Sequence, residues 1–437
     1  MVEIKRIAGL FALIIGVGLL LRQISFFPYP EMLTETYFLN SGMLPYTQIN
    51  DQHFPGLFLL PVNLRTLGFD SVEKLRWLHL GLIGFTTLIL YKLIGKLRWI
   101  VLFLIFFLLW EGNTLWVDSF VAPLVLLIFY GLWSKWSFRS IRNIFLTGIL
   151  LGMILVFKQH AVVICAAAAL WVLFQKISWK HWLSFVIGGI LPMSFVVIYY
   201  YQLGVWPDFW FWTVVHNLTG YTSLEGRIPG FGELTRLLLL LIPAIFGLHK
   251  LGKLFWPAGL FVLASLIYLF PRFGLIHAQV GLPFLIFLLS KRPRLYWPIM
   301  GLSLLLLARI FAKEIPGKIL FYDRSSMVTV NYVEKNVDRS KSVYVYGVND
   351  NIYHLTNTLP PQRFWIELLR GNIISGVEEQ LIATLKVDPP QFVLVDPHAG
   401  IDGEKLSEFT PLIWQYIQSH FILKTKLAND VEVWYPI

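Results

Sequence analysis

Leu97-Arg-Trp-Ile-Val-Leu-Phe-Leu-Ile-Phe-Phe-Leu-Leu-Trp110-Glu111-Gly-Asn-Thr-Leu-Trp-Val-Asp118-Ser-Phe-Val-Ala-Pro-Leu-Val-Leu-Leu-Ile-Phe-Tyr-Gly-Leu-Trp133 decides the fold. Two apolar runs, 99–110 and 116–133, stand on either side of a short polar turn, and the stretch's two carboxylates, Glu111 in the turn and Asp118 at the start of the second run, lie at this junction. Hydrocarbon requires that pattern, because a helix rising 1.5 Å per residue through a core of about 30 Å has to be apolar along its length, with its charges left at the ends. Working outward, comparable runs lie near 7–27, 77–94, 143–157, 161–175, 182–203, 234–248, 254–270, 275–290 and 295–312, giving about eleven spans in all. Composition agrees: of 437 residues 56% are hydrophobic and 14% charged, and mean hydropathy is +0.64, against roughly 25% charged in a soluble protein. The predicted class is a polytopic α-helical membrane protein, which excludes a soluble, disordered or fibrous chain.

A net charge of +10 would point to nucleic acid in a soluble protein, so the position of the excess matters. With the N-terminus inside, the cytoplasmic turns carry Lys5 and Arg6, then Lys92, Lys96 and Arg98, then Lys135, Arg139 and Arg142. Further along come Lys176 and Lys180, Lys250 and Lys253, and finally Lys291, Arg292 and Arg294. The opposite turns are acidic. This is the positive-inside pattern; the charge sets topology, N-in and C-out, and no nucleic-acid partner is expected. The single cysteine, Cys165, excludes an internal disulfide and reads as a small packing residue in an Ala-rich run. No cleavage pattern follows the first run, which reads as a retained helix. No repeat or inverted pair of broken helices marks a secondary transporter.

Two regions lie outside the spans. Residues 1–312 form the expected transmembrane catalytic domain, and 313–437 a small extracytoplasmic α/β domain. In the latter, Ser342–Tyr346 and Gln391–Val395 read as buried strands, 377–385 and 409–417 as helices, and 421–423 with 431–434 as a closing strand pair. The first external loop, 28–76, is long for a connection between packed helices and too aromatic to be disordered. Glu31, Glu35 and the apolar residues between them predict a short amphipathic helix at the interface, ended by Gly42 and followed by a Pro45-Tyr46 turn.

At this loop the chain resembles the GT-C superfamily of membrane glycosyltransferases, particularly the branch of protein O-mannosyltransferases and the lipid A aminoarabinose transferase. The matching residues are Glu31, Gly42-Met43-Leu44-Pro45-Tyr46 and His53-Phe54-Pro55-Gly56. Glu111–Asp118 resembles the family's second acidic loop, and Pro271-Arg272-Phe273 with His277 and Pro283 resembles its pattern before a late span. Where the family usually has Asp-Glu, this chain has Pro30-Glu31, so Glu35 and Asp51 stay open beside Glu31. The resemblance implies transfer of a sugar from a polyprenyl phosphate to a hydroxyl of a lipid, glycan or protein, with inversion, on the outer face of the plasma (inner) membrane. Some relatives use a divalent metal and others none, and no Asp-x-Asp pair stands here.

Such chemistry needs a base for the acceptor hydroxyl and positive charge for the departing phosphate. Glu31 is the expected base and Asp118 the second candidate, although Asp118 equally reads as an outer helix cap. Arg272 offers a planar fork suited to phosphate, with Lys158, His160 and His277 beside it; each alone also reads as an interfacial anchor. Tyr46, Asp51, His53 and Glu35 are expected to bind substrate or shape the loop. The aromatic segment 204–233 reads as an interface belt or part of a lipid groove. A lipid-linked glycan flippase or transporter, or a glycan polymerase or ligase, is the alternative; ionisable residues gathered at span ends favour the transferase. The topology is checked directly: a cysteine placed at Ser407 should react with an impermeant thiol reagent in intact cells, and labelling only after lysis would reverse the orientation.

Overall fold

The computed structural model describes residues 2–221, 227–313, 317–362, 364–365, 376–401 and 404–437, and helix occupies every predicted span. Among the described residues, four helices are long and apolar enough to cross a membrane: Val72–Ile94, Trp179–Gln202, Phe231–Leu248 and Pro293–Phe311. Six shorter apolar helices accompany them. Their exposure is inverted relative to a soluble protein. Only 17% of the apolar window in Trp179–Gln202 is buried, and Ile187, Ile190, Leu191, Phe195 and Ile198 all face outward. A continuous apolar exterior is tolerated where hydrocarbon replaces water, and the chain is a multi-pass membrane protein.

Helix contact is closest between Ile141–Phe157 and Trp179–Gln202. A Cβ added at Gly148 would collide with the Phe185 carbonyl oxygen, one at Gly152 with that of Gly189, and one at Gly188 with that of Phe145. Small residues four apart let the backbones meet where the hydrophobic effect gives no help. Because Ile141–Phe157 ends at Lys158, this contact also fixes where that lysine emerges.

The expected span 275–290 is divided. Leu275–Ala278 forms one short helix and Leu282–Leu289 another, joined by tight turns in which Val280 N–H donates to His277 O and Gly281 N–H to Ala278 O. Pro283, without an N–H, suits the first turn of a new helix rather than the interior of an old one.

The first loop forms its helix over Glu31–Asn40. It is not amphipathic: every residue from Met32 to Phe38 is buried. The side expected to face water is covered by the C-terminal region, where the Tyr353 ring lies 5.2 Å from that of Phe38 and His354 Nδ1 lies 3.4 Å from Thr34 Oγ1. Short bridges lace the outer segments together. Phe27–Pro28 pairs in parallel with Thr114–Leu115, Ile49–Asn50 with Phe364–Trp365, and Phe26 N–H donates to Lys318 O at 2.9 Å.

Beyond residue 317 a four-stranded sheet forms in the order Tyr344–Tyr346, Val393–Val395, Glu432–Pro436, Phe421–Lys426. The first pair is parallel and the others antiparallel. Alternation sorts its two faces. Val343, Phe392, Leu394 and Val433 join the apolar cluster that continues into the membrane helices. Tyr344, Tyr346, Val393 and Val395 pack on the other side against Leu381, Leu385, Ile413 and Ile417. Helices Arg324–Asn336 and Asn351–Thr356 were not anticipated from the sequence.

Candidate active site

A cavity of about 300 Å3 opens where the ends of several helices meet the first loop. The loop supplies Glu31, Glu35, Asp51 and His53; the turn after Ile141–Phe157 supplies Lys158 and His160; the segment before Leu275–Ala278 supplies Arg272, with His277 on that helix. Eight of the ten residues expected at the site therefore line one cavity, although they come from parts of the sequence up to 246 positions apart (277 − 31). Tyr46 and Asp118 lie behind its wall.

Local structure explains the loop's path. Gly42 at φ +91° and Tyr46 at φ +62° turn the chain after the helix, a geometry that costs glycine little and tyrosine more. Tyr46 is held there by burial between the rings of Tyr200 and Phe209, and its hydroxyl donates to His53 O at 2.9 Å. It braces the loop from beneath. Asp51 Oδ1 accepts from the His53 amide at 2.9 Å and from its ring Nδ1 at 2.8 Å, which fixes the imidazole's tautomer. The Gln52 carbonyl accepts from Gln159 Nε2 at 2.9 Å and Asn217 Nδ2 at 2.8 Å.

Asp118 is fully buried. Its carboxylate accepts from Tyr268 Oη at 2.6 Å, from Lys158 Nζ at 3.0 and 3.1 Å, and from His277 Nδ1 at 2.8 Å. The Lys158 ammonium also stands 5.0 Å from the Tyr268 ring centre. With Nδ1 occupied, His277 keeps Nε2 beside Gly274, another cavity residue. Asp118 is thus a positioning group, set to hold a cation and an imidazole against the cavity.

Charge divides the site. Burial, then the nearby Asp51, Glu31 and Asp350 carboxylates, push Glu35 well above the usual carboxylate range. Burial also raises Glu111, with Arg236 opposing. Burial lowers Lys158, and Asp118 works against that shift. The acids cluster on the first loop, and the bases on the helix ends facing it. Among the described residues no group of three or more His, Cys, Asp or Glu side chains is arranged to hold a metal ion, and no step here is routed through one.

Sequence reading missed Arg227, Asn217 and Tyr268. Arg227 lines the cavity and clamps the Arg272 segment: its Nη1 donates to Phe273 O at 3.1 Å and its Nη2 to Glu233 at 2.9 Å. Nothing in its local sequence marks it. Asn217 lies in the aromatic segment, which forms a short helix, Trp206–Trp210, continuing into wide π-type turns.

A solved structure of the arabinofuranosyltransferase AftD from mycobacteria superposes on 98% of this chain with a TM-score of 0.51 at 11% sequence identity. At that identity the likeness is one of fold. No protein-family model and no curated protein matches the sequence. The chain spans 41% of the length of the AftD polypeptide that it matches.

Two outcomes follow from the geometry. Asp118→Asn leaves the Lys158 ammonium buried without its counter-ion, which should cost about 3–5 kcal/mol in detergent-solubilised unfolding; adding Lys158→Met should recover much of the loss. For Glu35, the raised pKa means the folded state binds the proton more tightly than the unfolded chain. Its stabilising contribution is complete below the reference value of 4.5 and declines as pH rises through the higher folded value. Thermal melts against pH should show that decline in the native protein and a flatter profile in Glu35→Gln.

Proposed function

We propose that this chain transfers a sugar from a polyprenyl-phosphate donor to an acceptor hydroxyl, inverting the anomeric centre, on the extracytoplasmic face of the plasma (inner) membrane. The observation that carries the reading is the convergence of first-loop carboxylates and helix-end bases on one cavity of about 300 Å3, within a fold of the GT-C class. The alternating Lys/Arg turns support eleven spans with the sheet region, 313–437, outside.

Glu31 is the general base. It opens the first-loop helix, is only part-buried and lines the cavity, whereas Glu35, one turn deeper, is buried and its pKa is pushed up. As the acceptor oxygen bonds to the anomeric carbon, its proton passes to Glu31. The carbon–oxygen bond to phosphate breaks on the opposite face, and the electron pair leaves on the phosphate oxygen. Arg272 meets that charge with a bidentate fork; His277 and His160 add donors, and Lys158 adds positive potential already partly answered by Asp118. Water excluded from such a site strengthens each of these interactions.

Glu31→Gln should preserve folding and donor binding while lowering transfer roughly 10²- to 10⁴-fold, with Glu35→Gln losing much less. Arg272→Ala should lose on the order of 10²-fold, and Arg272→Lys should recover part of it. Transfer assays with purified enzyme and lipid-phosphate sugar decide the matter. Full activity in Glu31→Gln alongside an inactive Asp51→Asn would move the base, and full activity in all of these variants would end the transferase reading.

A further inference from the structure

A second cavity, of about 460 Å3, lies between the first loop and the C-terminal sheet. Its size is within the range of about 300–1,000 Å3 typical of small-molecule sites. Its floor is the carboxyl end of the parallel pair Tyr344–Tyr346 and Val393–Val395, where the following turns contribute Gly347–Asn351 and Asp396, Ala399 and Gly400. Ligands in α/β sheets bind in this crevice because the turns leaving the strands present free polar groups there. Gly347, at φ +77°, allows the first turn to press against Ala399, with which any side chain would collide. Tyr29 and Glu31 line both cavities, so the proposed base forms part of the partition between them.

The two cavities differ in charge. The first holds Lys158, Arg227 and Arg272; among the described residues, the second is lined by no lysine, arginine or histidine. Its ionisable groups are Glu31, Asp350 and Asp396, accompanied by amides and hydroxyls. A phosphate or carboxylate would be repelled there. Two buried oxygens ask instead for hydrogen-bond donors. Asn351, wholly buried, gives its Nδ2 to the Phe321 carbonyl, and its Oδ1 meets no partner. Asn429 Nδ2 donates to the Ser325 carbonyl at 2.9 Å and to Thr329 Oγ1 at 2.8 Å, and its Oδ1 is likewise buried without one. Because a backbone carbonyl can only accept, both amides are fixed with oxygen free, and leaving such an oxygen unanswered costs on the order of 1–3 kcal/mol.

We propose that this second cavity binds the acceptor, and that the acceptor is a neutral, hydroxyl-rich glycan chain end. Sugar hydroxyls donate to Asn351, Asn429 and Asp396. The rings of Phe27, Tyr29 and Phe321 offer apolar faces to the C–H side of a pyranose or furanose. A glycan held there extends one hydroxyl past Tyr29 to Glu31, while the anionic donor stays on the basic side. The word acceptor rests on the transferase reading above; the glycan site itself does not.

Binding is therefore tested apart from turnover. Saturation-transfer NMR on the full chain in a non-glycosidic detergent, with neutral mannan-, arabinan- and glucan-derived oligosaccharides as probes, should detect binding by at least one, and Glu31→Gln should retain it. Ser325→Trp, an exposed position on the cavity rim, should weaken that binding at least tenfold while leaving donor hydrolysis intact. Uronate oligosaccharides and a Ser/Thr-rich peptide should not bind. Binding by none of the neutral probes, binding indifferent to Ser325→Trp, or preference for the peptide or the uronates overturns the assignment. Glycan binding sensitive to Ser325→Trp in a protein that never consumes lipid-phosphate sugar would leave the site standing and remove the transferase reading.

Discussion

One buried carboxylate organises the outer half of this molecule. Asp118 begins a membrane helix, and in low dielectric its charge has to be answered on every side. Lys158 comes from the end of a second helix, His277 from a third segment and Tyr268 from the end of a fourth. Four pieces of chain that pack separately through apolar contacts are therefore fixed in relative position by a polar knot. The cavity lies directly against it. An active-site wall built this way is pre-organised, since its basic groups are held before any substrate arrives.

A second constraint comes from the outer segments. The bundle alone would leave the first loop as a loose strap, but three short backbone pairings tie it to the second loop, to the start of the C-terminal region and to the segment at 364–365. The helix that carries Glu31 is consequently sealed between membrane helices and a sheet. The sheet shares its core with the bundle through Val343, Leu394 and their neighbours, so the region that covers this helix is packed onto the bundle.

The membrane class and the position of each helix were legible because hydrocarbon imposes a simple rule: long apolar runs with charges at their ends. The site was legible where charge appeared against that background, as at Lys158 or Arg272. What local sequence did not carry was depth. Asp118 and Glu31 look alike in a linear reading, yet one lies behind the wall and the other on it, and only tertiary packing separates them. The same limit explains the first-loop helix. Its residues suggested a wet face, which the C-terminal region covers with Tyr353 and His354. Arg227 was invisible because its role depends on backbone contacts with Pro271 and Phe273, partners more than forty positions away.

The helix Glu31–Asn40 starts at its first glutamate and carries a second one turn later. The first turn of a helix exposes unpaired N–H groups and the positive end of the macrodipole, so a carboxylate there is favoured; that help fades within the turn. Glu31, in that first turn and only part-buried, and Glu35, one turn deeper where burial raises its pKa, thus meet different surroundings although they lie on the same helical face. Pro30, just ahead of Glu31, fixes that starting point. The start of the helix adds to the difference that burial makes between the two carboxylates, and extending the helix upstream by a turn would remove that added part.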